Sequence, residues 1–287
     1  MTLTLLHLNN LTMRLSLSIL ITSIILVSCG SVKKENIEYL DTEYDASAEA
    51  PELNIFQPKD SLVAHDVLIF VHGGNWNSGN KNTYSVLGRN FAGKDYLTVI
   101  PGYTLSPYAN YDQMTQEIAK AIQWTHENAE KYGGDPNRIF LMGHSAGGHL
   151  AALAAMNPKY LENTDYIKGI ILDDAAGLDM YSYLQENPPG EEEYYNVTWT
   201  TNPEEWKNAS PYYFLDENTP PILTLLGTKT IPSLYYYNDL FHNKLLEFQP
   251  EAPLLIMNKN HTAMVTQFFN PLSRYFKEIQ NFTSSIE

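Results

Sequence analysis

Residues 139–153 read IFLMGHSAGGHLAAL, and the prediction of the fold begins with them. The apolar residues at the start of this stretch are typical of a buried strand, and the alanines and leucines at its end favour a helix. Between them lies the pattern Gly-x-Ser-x-Gly, centred on Ser145. In such a tight strand-to-helix turn the glycines avoid Cβ collisions, and the serine hydroxyl stands clear of the sheet. The pattern also occurs by chance in loops, but the strand before it and the helix after it indicate that Ser145 is a nucleophile.

A second glycine motif, HGGNW at residues 72–76, directly follows an apolar run that is typical of a strand buried on both faces. An ordinary glycine turn is one interpretation. The motif, however, resembles the HGGxW loop of esterases with the α/β-hydrolase fold. The resemblance implies that backbone N–H groups of this loop and of the residue after the serine stabilise a developing oxyanion. The residues that could supply those N–H groups are Gly73, Gly74, Asn75 and Ala146.

The longer stretch YGGDPNRIFLMGHSAGGHLA, residues 132–151, resembles the carboxylesterase and kynurenine-formamidase-like branch of that fold. Short apolar runs alternate with helical patterns over residues 53–282, which predicts an α/β fold with a mostly parallel central sheet flanked by helices. Residues 178–218 interrupt this alternation with tyrosine, tryptophan, proline and glutamate. We interpret them as a small aromatic-rich cap insertion. Its aromatic side chains could shape an acyl or sugar pocket, or they could simply pack the cap.

A serine hydroxyl is a weak nucleophile at neutral pH and needs a neighbouring base. His261 follows the last predicted strand, in the segment NHTAM at residues 260–264, which resembles the H-x-x-M of the same family. His144 and His149 flank the serine, but the turn and its helix fix their positions, and we expect them to pack. The resemblance therefore implies that His261 is the base.

The acid of a catalytic triad is where the sequence departs from the family pattern. Related enzymes have an aspartate in the loop after the penultimate strand, as in G-T-x-D, whereas this loop reads GTKT and has Thr230 in the aspartate's place. One alternative is an acid at the preceding strand end, Asp173 or Asp174. We prefer Asp173, because Leu172-Asp173 followed by Ala-Gly resembles the L-D-P-A of pancreatic-type lipases. Other possibilities are Asp239 from a later helix, a serine–histidine dyad, or two aspartates that only cap a loop.

Residues 1–29 are predicted to be an export signal. One arginine precedes an apolar run without charge, and the segment ends in Leu-Val-Ser-Cys, which resembles the bacterial lipobox. Cys29 is the only cysteine of the chain and would carry the lipid. A transmembrane anchor is the alternative, but the apolar run is rather short for one. Translation could start at Met1 or at Met13. We therefore expect an exported protein, lipid-anchored to a bacterial membrane on its periplasmic side or at the cell surface.

The rest of the chain is predicted to have two parts. Residues 30–50 are polar and small, as expected of a flexible tether, and residues 51–287 form the α/β-hydrolase domain. The formal net charge of −15 argues against nucleic acid and anionic surfaces as partners. The sequence contains no G-x-G-x-x-G, P-loop or H-E-x-x-H pattern, so we expect neither a cofactor nor a metal ion.

These features predict a serine hydrolase that cleaves carboxylic esters by an acyl-enzyme mechanism. Its substrates are expected to be small-molecule esters with short acyl chains, or acylated sugars. Arylformamidase-like amide hydrolysis is the nearest enzymatic alternative, because it uses the same groups. A catalytically silent α/β-hydrolase domain that binds a ligand or partner is the alternative from another class, since the usual acid position is Thr230.

Overall fold

The computed structural model describes residues 32–40, 51–60, 62–190 and 192–286. The predicted signal segment, including Cys29, lies outside these residues, so the lipid anchor stays a prediction. Among the described residues, no helix combines the length and the apolar character that crossing a membrane requires.

Eight strands of the described chain form one sheet. Their bounds are β1 Val32–Glu38, β2 Glu52–Gln57, β3 His65–Val71, β4 Leu97–Pro101, β5 Gly134–His144, β6 Ile167–Asp173, β7 Ile222–Lys229 and β8 Leu254–Asn260. In space their order is β1-β2-β4-β3-β5-β6-β7-β8. The β1–β2 and β2–β4 pairs are antiparallel, and the remaining pairs are parallel. The predicted mostly parallel sheet is therefore confirmed.

The prediction of a tether over residues 30–50 is wrong for residues 32–38, because they form β1, which pairs with β2 on both sides of a bulge between Lys34 and Ile37. The strand was not predicted because its sequence, VKKENIE, is mostly polar. An edge strand has a neighbour on one side only, so polar residues are compatible with it. Lys33, for example, extends its side chain over the ring of Phe56, with the ammonium 5.5 Å from the ring centroid. The folded unit thus includes residues upstream of the predicted boundary at residue 51.

Helices cover both faces of the sheet. Their bounds are α1 Ser85–Ala92, α2 Tyr111–Asn128, α3 Ala146–Met156, α4 Met180–Glu186, α5 Glu193–Trp199, α6 Pro203–Asn208, α7 Pro232–Leu245, α8 His261–Thr266 and α9 Tyr275–Ser284. Side chains alternate between the two faces of a strand. In β3, Val67 and Ile69 therefore pack in one apolar core, while Leu68 and Phe70 pack in the other. The sheet is buried on both sides, as parallel sheets usually are.

The predicted cap insertion lies between β6 and β7 and contains α4, α5 and α6. Trp199 at the end of α5 is fully buried and packs edge-on against Trp76, with 4.6 Å between ring centroids. The indole N–H of Trp206 donates to the Trp199 carbonyl oxygen at 3.0 Å. These tryptophans fasten the cap to the loop that follows β3.

Candidate active site

Ser145 lies between the end of β5 and the start of α3, with φ 55° and ψ −125°. A residue with a Cβ rarely adopts a positive φ, so the backbone is strained here. Neighbouring chain segments hold it in place: the Ser145 carbonyl oxygen accepts from the N–H groups of Gly148 at 2.9 Å and Ala176 at 3.0 Å. At Gly147 a Cβ would lie 2.1 Å from the carbonyl oxygen of Val71, so only glycine fits. The turn is the one that the Gly-x-Ser-x-Gly pattern predicts.

His261 begins α8, directly after β8, and its Nε2 lies 2.9 Å from the Ser145 Oγ. The Asn260 side chain caps this helix by accepting from the Ala263 N–H at 2.9 Å. His144 stacks on the His261 ring, with 4.6 Å between centroids, and its Nε2 lies 3.0 Å from the His261 carbonyl oxygen. Burial lowers the pKa of His144 to about 4. His144 is therefore neutral at pH 7 and donates its Nε2–H to that carbonyl.

Asp174 is the carboxylate in contact with His261: its Oδ2 lies 2.6 Å from the imidazole Nδ1. The Asp174 side chain is fully buried. Its Oδ1 accepts from the Gly227 N–H at 2.9 Å. Its Oδ2 also accepts a hydrogen bond from the Thr230 hydroxyl. Ser145, His261 and Asp174 thus form one continuous chain of hydrogen bonds.

The prediction that Asp173 contacts the histidine is wrong, because the carboxylate next to His261 belongs to Asp174. Asp173 is the last residue of β6 and shares the face of Ile171, whose side chain lies in an apolar core. Asp174 has φ 51°, so the chain turns at this residue. Neither carboxylate oxygen of Asp173 has a hydrogen-bond partner among the described residues. Burial, reinforced by the charge of Asp174, raises the pKa of Asp173 well above its usual range.

Asp239, the other candidate acid, lies on α7 and is exposed to solvent. Its carboxylate accepts from the Asn243 side chain, one turn further along the same helix, at 3.2 Å. The structure does not bring it to His261.

The loop after β3 passes directly against the serine. A Cβ on Gly73 would lie 2.8 Å from the His144 carbonyl oxygen and 3.0 Å from the Ser145 Cβ. Gly74 has φ 134°, and its carbonyl oxygen accepts from the Ser78 N–H at 2.9 Å, which closes the loop. Gly73, Gly74 and Asn75 line the same cleft as Ser145. Ala146 is the first residue of α3, where backbone N–H groups have no acceptor within the helix.

His149 contributes to this loop in a way that the sequence did not indicate. The Trp76 indole N–H donates to the His149 Nδ1 at 3.1 Å, and the His149 Nε2 lies 2.7 Å from the Ala209 carbonyl oxygen. Because Nδ1 accepts, Nε2 must carry the proton and donate to Ala209. His149 therefore ties the loop after β3 to α3 and to the cap. Only its proximity to Ser145 could have drawn attention to it.

Two neighbouring cavities share part of their lining at the candidate site. The active-site cleft, of about 650 Å³, is lined by Ser145, His261, Thr262, Val265, Thr266 and Phe269, among others. The cap cavity, of about 350 Å³, is lined by Trp76, Met180, Tyr183, Tyr194, Tyr195 and Tyr237, among others. Asn75, Ala176, Ile231 and Leu234 line both. The cap aromatics therefore do both things considered from the sequence: tryptophans pack, and tyrosines line a cavity.

In the described part of the chain, no group of three or more histidine, cysteine, aspartate or glutamate side chains is arranged to hold a metal ion. The site consists of a strained serine, a histidine, a buried carboxylate and a glycine loop, and these groups suit nucleophilic chemistry at a carbonyl.

A serine on a sharp turn after β5 and a histidine after β8, in a sheet of this order, define the α/β-hydrolase fold. The chain belongs to the BD-FAE family, whose model matches residues 53–245.

Esterase LipC of Mycobacterium tuberculosis (strain ATCC 25618 / H37Rv) is 27% identical over 216 residues, which cover 70% of this chain and 53% of LipC. The match thus spans about half of that relative. Among solved structures, esterase Est2 from Thermogutta terrifontis has a TM-score of 0.70 at 20% identity and covers 89% of this chain and 92% of its own. A truncated carbohydrate esterase from gut microbiota has a TM-score of 0.70 at 22% identity and covers 90% of this chain and 97% of its own.

Proposed function

We propose that the protein is a serine hydrolase that cleaves carboxylic esters through an acyl-enzyme intermediate. The observation that carries the proposal is the continuous hydrogen-bonded chain from Ser145 through His261 to Asp174. Membership of the BD-FAE family and similarity to a protein named as an esterase support the reaction type. The contact between Asp174 and His261 weighs against a catalytically silent domain, whose support was the threonine at the usual acid position.

In this mechanism the His261 Nε2 takes the proton from the Ser145 hydroxyl as the oxygen attacks the ester carbonyl carbon. The tetrahedral oxyanion is stabilised by backbone N–H groups of Gly73, Gly74, Asn75 and Ala146. His261 then gives its proton to the leaving alkoxide, and the alcohol departs. Water, deprotonated by the same imidazole, attacks the acyl-enzyme and releases the acid.

Asp174 has a separate task in this mechanism. Its carboxylate accepts from the His261 Nδ1, which keeps the proton on Nδ1 and leaves Nε2 free to act as the base. The negative charge also stabilises the imidazolium that forms during each proton transfer.

In the proposed binding mode, the alcohol part and the acyl part of the ester lie in different cavities. His261 must protonate the leaving oxygen, so the alcohol part lies in the active-site cleft, which His261 lines. The acyl part then extends towards the cap cavity, which neither Ser145 nor His261 lines. Thr262 and Thr266 are exposed residues that line this cleft, so they suit an alcohol that carries hydroxyl groups of its own. We therefore propose short-chain esters or acylated sugars as substrates, and the fold shared with a carbohydrate esterase agrees with this.

Arylformamide hydrolysis is the second candidate. The observation that favours it is the pair of aromatic side chains in the active-site cleft, Tyr84 and Phe269, which suit the aromatic ring of a leaving aryl amine. One panel of substrates separates the candidates: p-nitrophenyl esters of increasing acyl length, acetylated xylan and N-formylkynurenine. Highest kcat/KM on the formamide would replace ester hydrolysis as the main activity.

The hydrolase mechanism itself is tested with a fluorophosphonate probe. A solved structure shows Thermogutta terrifontis esterase 2 phosphonylated by sarin, so organophosphorus reagents react with a protein of this fold. We expect the wild type to be labelled and Ser145→Ala to be unlabelled, with kcat lowered on the order of 10⁶-fold, since the nucleophile is removed. Equal labelling of both proteins, or none of either, would exclude Ser145 as the nucleophile.

We also propose that the protein is exported and lipid-anchored through Cys29, which the lipobox-like Leu-Val-Ser-Cys supports. Metabolic labelling with an alkynyl fatty acid should mark the wild type and leave Cys29→Ala unmarked. Labelling that persists in the variant would refute the anchor.

A further inference from the structure

We infer that Thr230 is a positioning residue for the proposed reaction, and that it acts by holding the Asp174 carboxylate against His261. The inference rests on the proposed function, because a positioning residue has a measurable effect only on an active enzyme. Thr230 follows β7, whereas Asp174 follows β6, so the two residues are 56 positions apart and meet only in the fold.

The Asp174 carboxylate is fully buried, and an ionised group in such a place must be surrounded by donors. Its two oxygens share three: the Gly227 N–H on Oδ1, and the Thr230 hydroxyl and the His261 Nδ1 on Oδ2. The Thr230 hydroxyl and the His261 imidazole therefore bind the same oxygen, Oδ2, and through His261 this oxygen belongs to the hydrogen-bonded chain that ends at Ser145.

The turn at the end of β7 presents two of these donors together. The Thr230 N–H lies 3.3 Å from the Gly227 carbonyl oxygen, which closes a four-residue turn. This turn places a backbone donor on one carboxylate oxygen and a hydroxyl donor on the other. These two donors hold both oxygens of the carboxylate independently of the His261 imidazole, which the carboxylate itself has to orient. Of the two, only the hydroxyl belongs to a side chain that can be replaced.

Thr230 does not line the cap cavity or the active-site cleft, although Ile231, the next residue, lines both. Loss of the hydroxyl should therefore lower kcat and leave KM nearly unchanged. A hydrogen bond to a charged group contributes enough that we expect Thr230→Val to lower kcat by about 10- to 100-fold. Thr230→Ser, which keeps the hydroxyl, should retain kcat within about three-fold of the wild type.

A double-mutant cycle tests whether the effect passes through Asp174. If it does, Thr230→Val should change kcat by less than about three-fold when Asp174 is already asparagine, because the carboxylate that Thr230 holds is gone. A residue that only supports the fold would lower kcat by the same factor in both backgrounds. Thr228→Val is the matched control, since Thr228 is an exposed threonine in β7, two residues before Thr230. We expect this variant to match the wild type.

The inference is overturned if Thr230→Val keeps kcat within two-fold of the wild type, or if its loss is equal in both backgrounds. Thermal unfolding of each variant confirms that it is folded, and Thr230→Ala replaces the valine variant if that one does not fold. Failure of the proposed function has a different signature: the wild type itself would show neither turnover nor fluorophosphonate labelling.

Discussion

The ends of β6 and β7 lie next to each other in the sheet, and they contribute different groups to the candidate site. The end of β6 contributes the buried carboxylate of Asp174. The end of β7 contributes the donors that surround this carboxylate, from Gly227 and Thr230. A charge and its support therefore come from different strands. The comparison shows that a strand end without a carboxylate can still hold the carboxylate of the neighbouring strand in place.

A second difference lies within the end of β6 itself. Asp173 and Asp174 are adjacent and both fully buried, yet one carboxylate has three donors and the other has no hydrogen-bond partner among the described residues. The face of the strand decides this, because Asp173 continues the alternation of β6 into the core while the chain turns at Asp174. Replacing Asp174 therefore tests the effect of a carboxylate on the imidazole, whereas replacing Asp173 tests the effect of a buried carboxylate on the fold.

The largest effect should come from replacing the two aspartates one at a time. Asp174→Asn should lower kcat on p-nitrophenyl acetate on the order of 10⁴-fold, because an amide neither fixes the tautomer of His261 nor stabilises its charge. Asp173→Asn should lower kcat by less than about three-fold, since it does not contact the imidazole. Steady-state kinetics at pH 7 on both variants measures these losses. Similar losses in kcat would contradict the assignment of Asp174, and not Asp173, as the acid.

A smaller effect is expected when the acid is moved from the end of β6 to the end of β7. The Thr230 hydroxyl hydrogen-bonds to the same Asp174 oxygen that contacts His261, so a carboxylate at position 230 can reach the imidazole. Thr230→Asp added to Asp174→Asn should raise kcat by about 10- to 100-fold over the single variant. The control adds Thr230→Asn, which has the same shape without the charge. Equal kcat in the two double variants would mean that the β7 end cannot supply the acid.

The sequence predicted those parts of the site that depend on local pattern. The turn at Ser145 and the HGG loop are short motifs between predictable elements, and His261 was located by the strand before it. The acid could not be chosen in the same way. Asp173 and Asp174 follow the same apolar strand, and the choice between them depends on one backbone angle, φ 51° at Asp174. The motif GTKT marks Thr230 only as the residue in the usual acid's place, and its hydrogen bond to Asp174 has no local signal because the two residues are 56 positions apart.

For the fold, too, the sequence predicts the features with a local pattern and misses those that depend on distant pairing. Buried strands such as β3 are apolar throughout and were visible, whereas β1 reads VKKENIE and resembles a linker. A polar edge strand is identified by its partner, and pairing with β2 is a long-range contact that composition does not record.

The smallest effect concerns the stability of the protein, and it depends on the burial of Asp173. Burial raises the pKa of Asp173 in the folded protein above the value near 3.9 that an unfolded aspartate has. The folded state therefore binds this proton more tightly, and the stabilisation is lost as the pH rises from about 4 towards the folded pKa. Asp173→Asn cannot ionise, so the free energy of unfolding of this variant should increase relative to that of the wild type as the pH rises from 5 to 8. Urea unfolding at both pH values measures the difference, with the exposed Asp239→Asn as the control that should show no gain. A constant difference between Asp173→Asn and the wild type would mean that Asp173 is already ionised in the fold at pH 5.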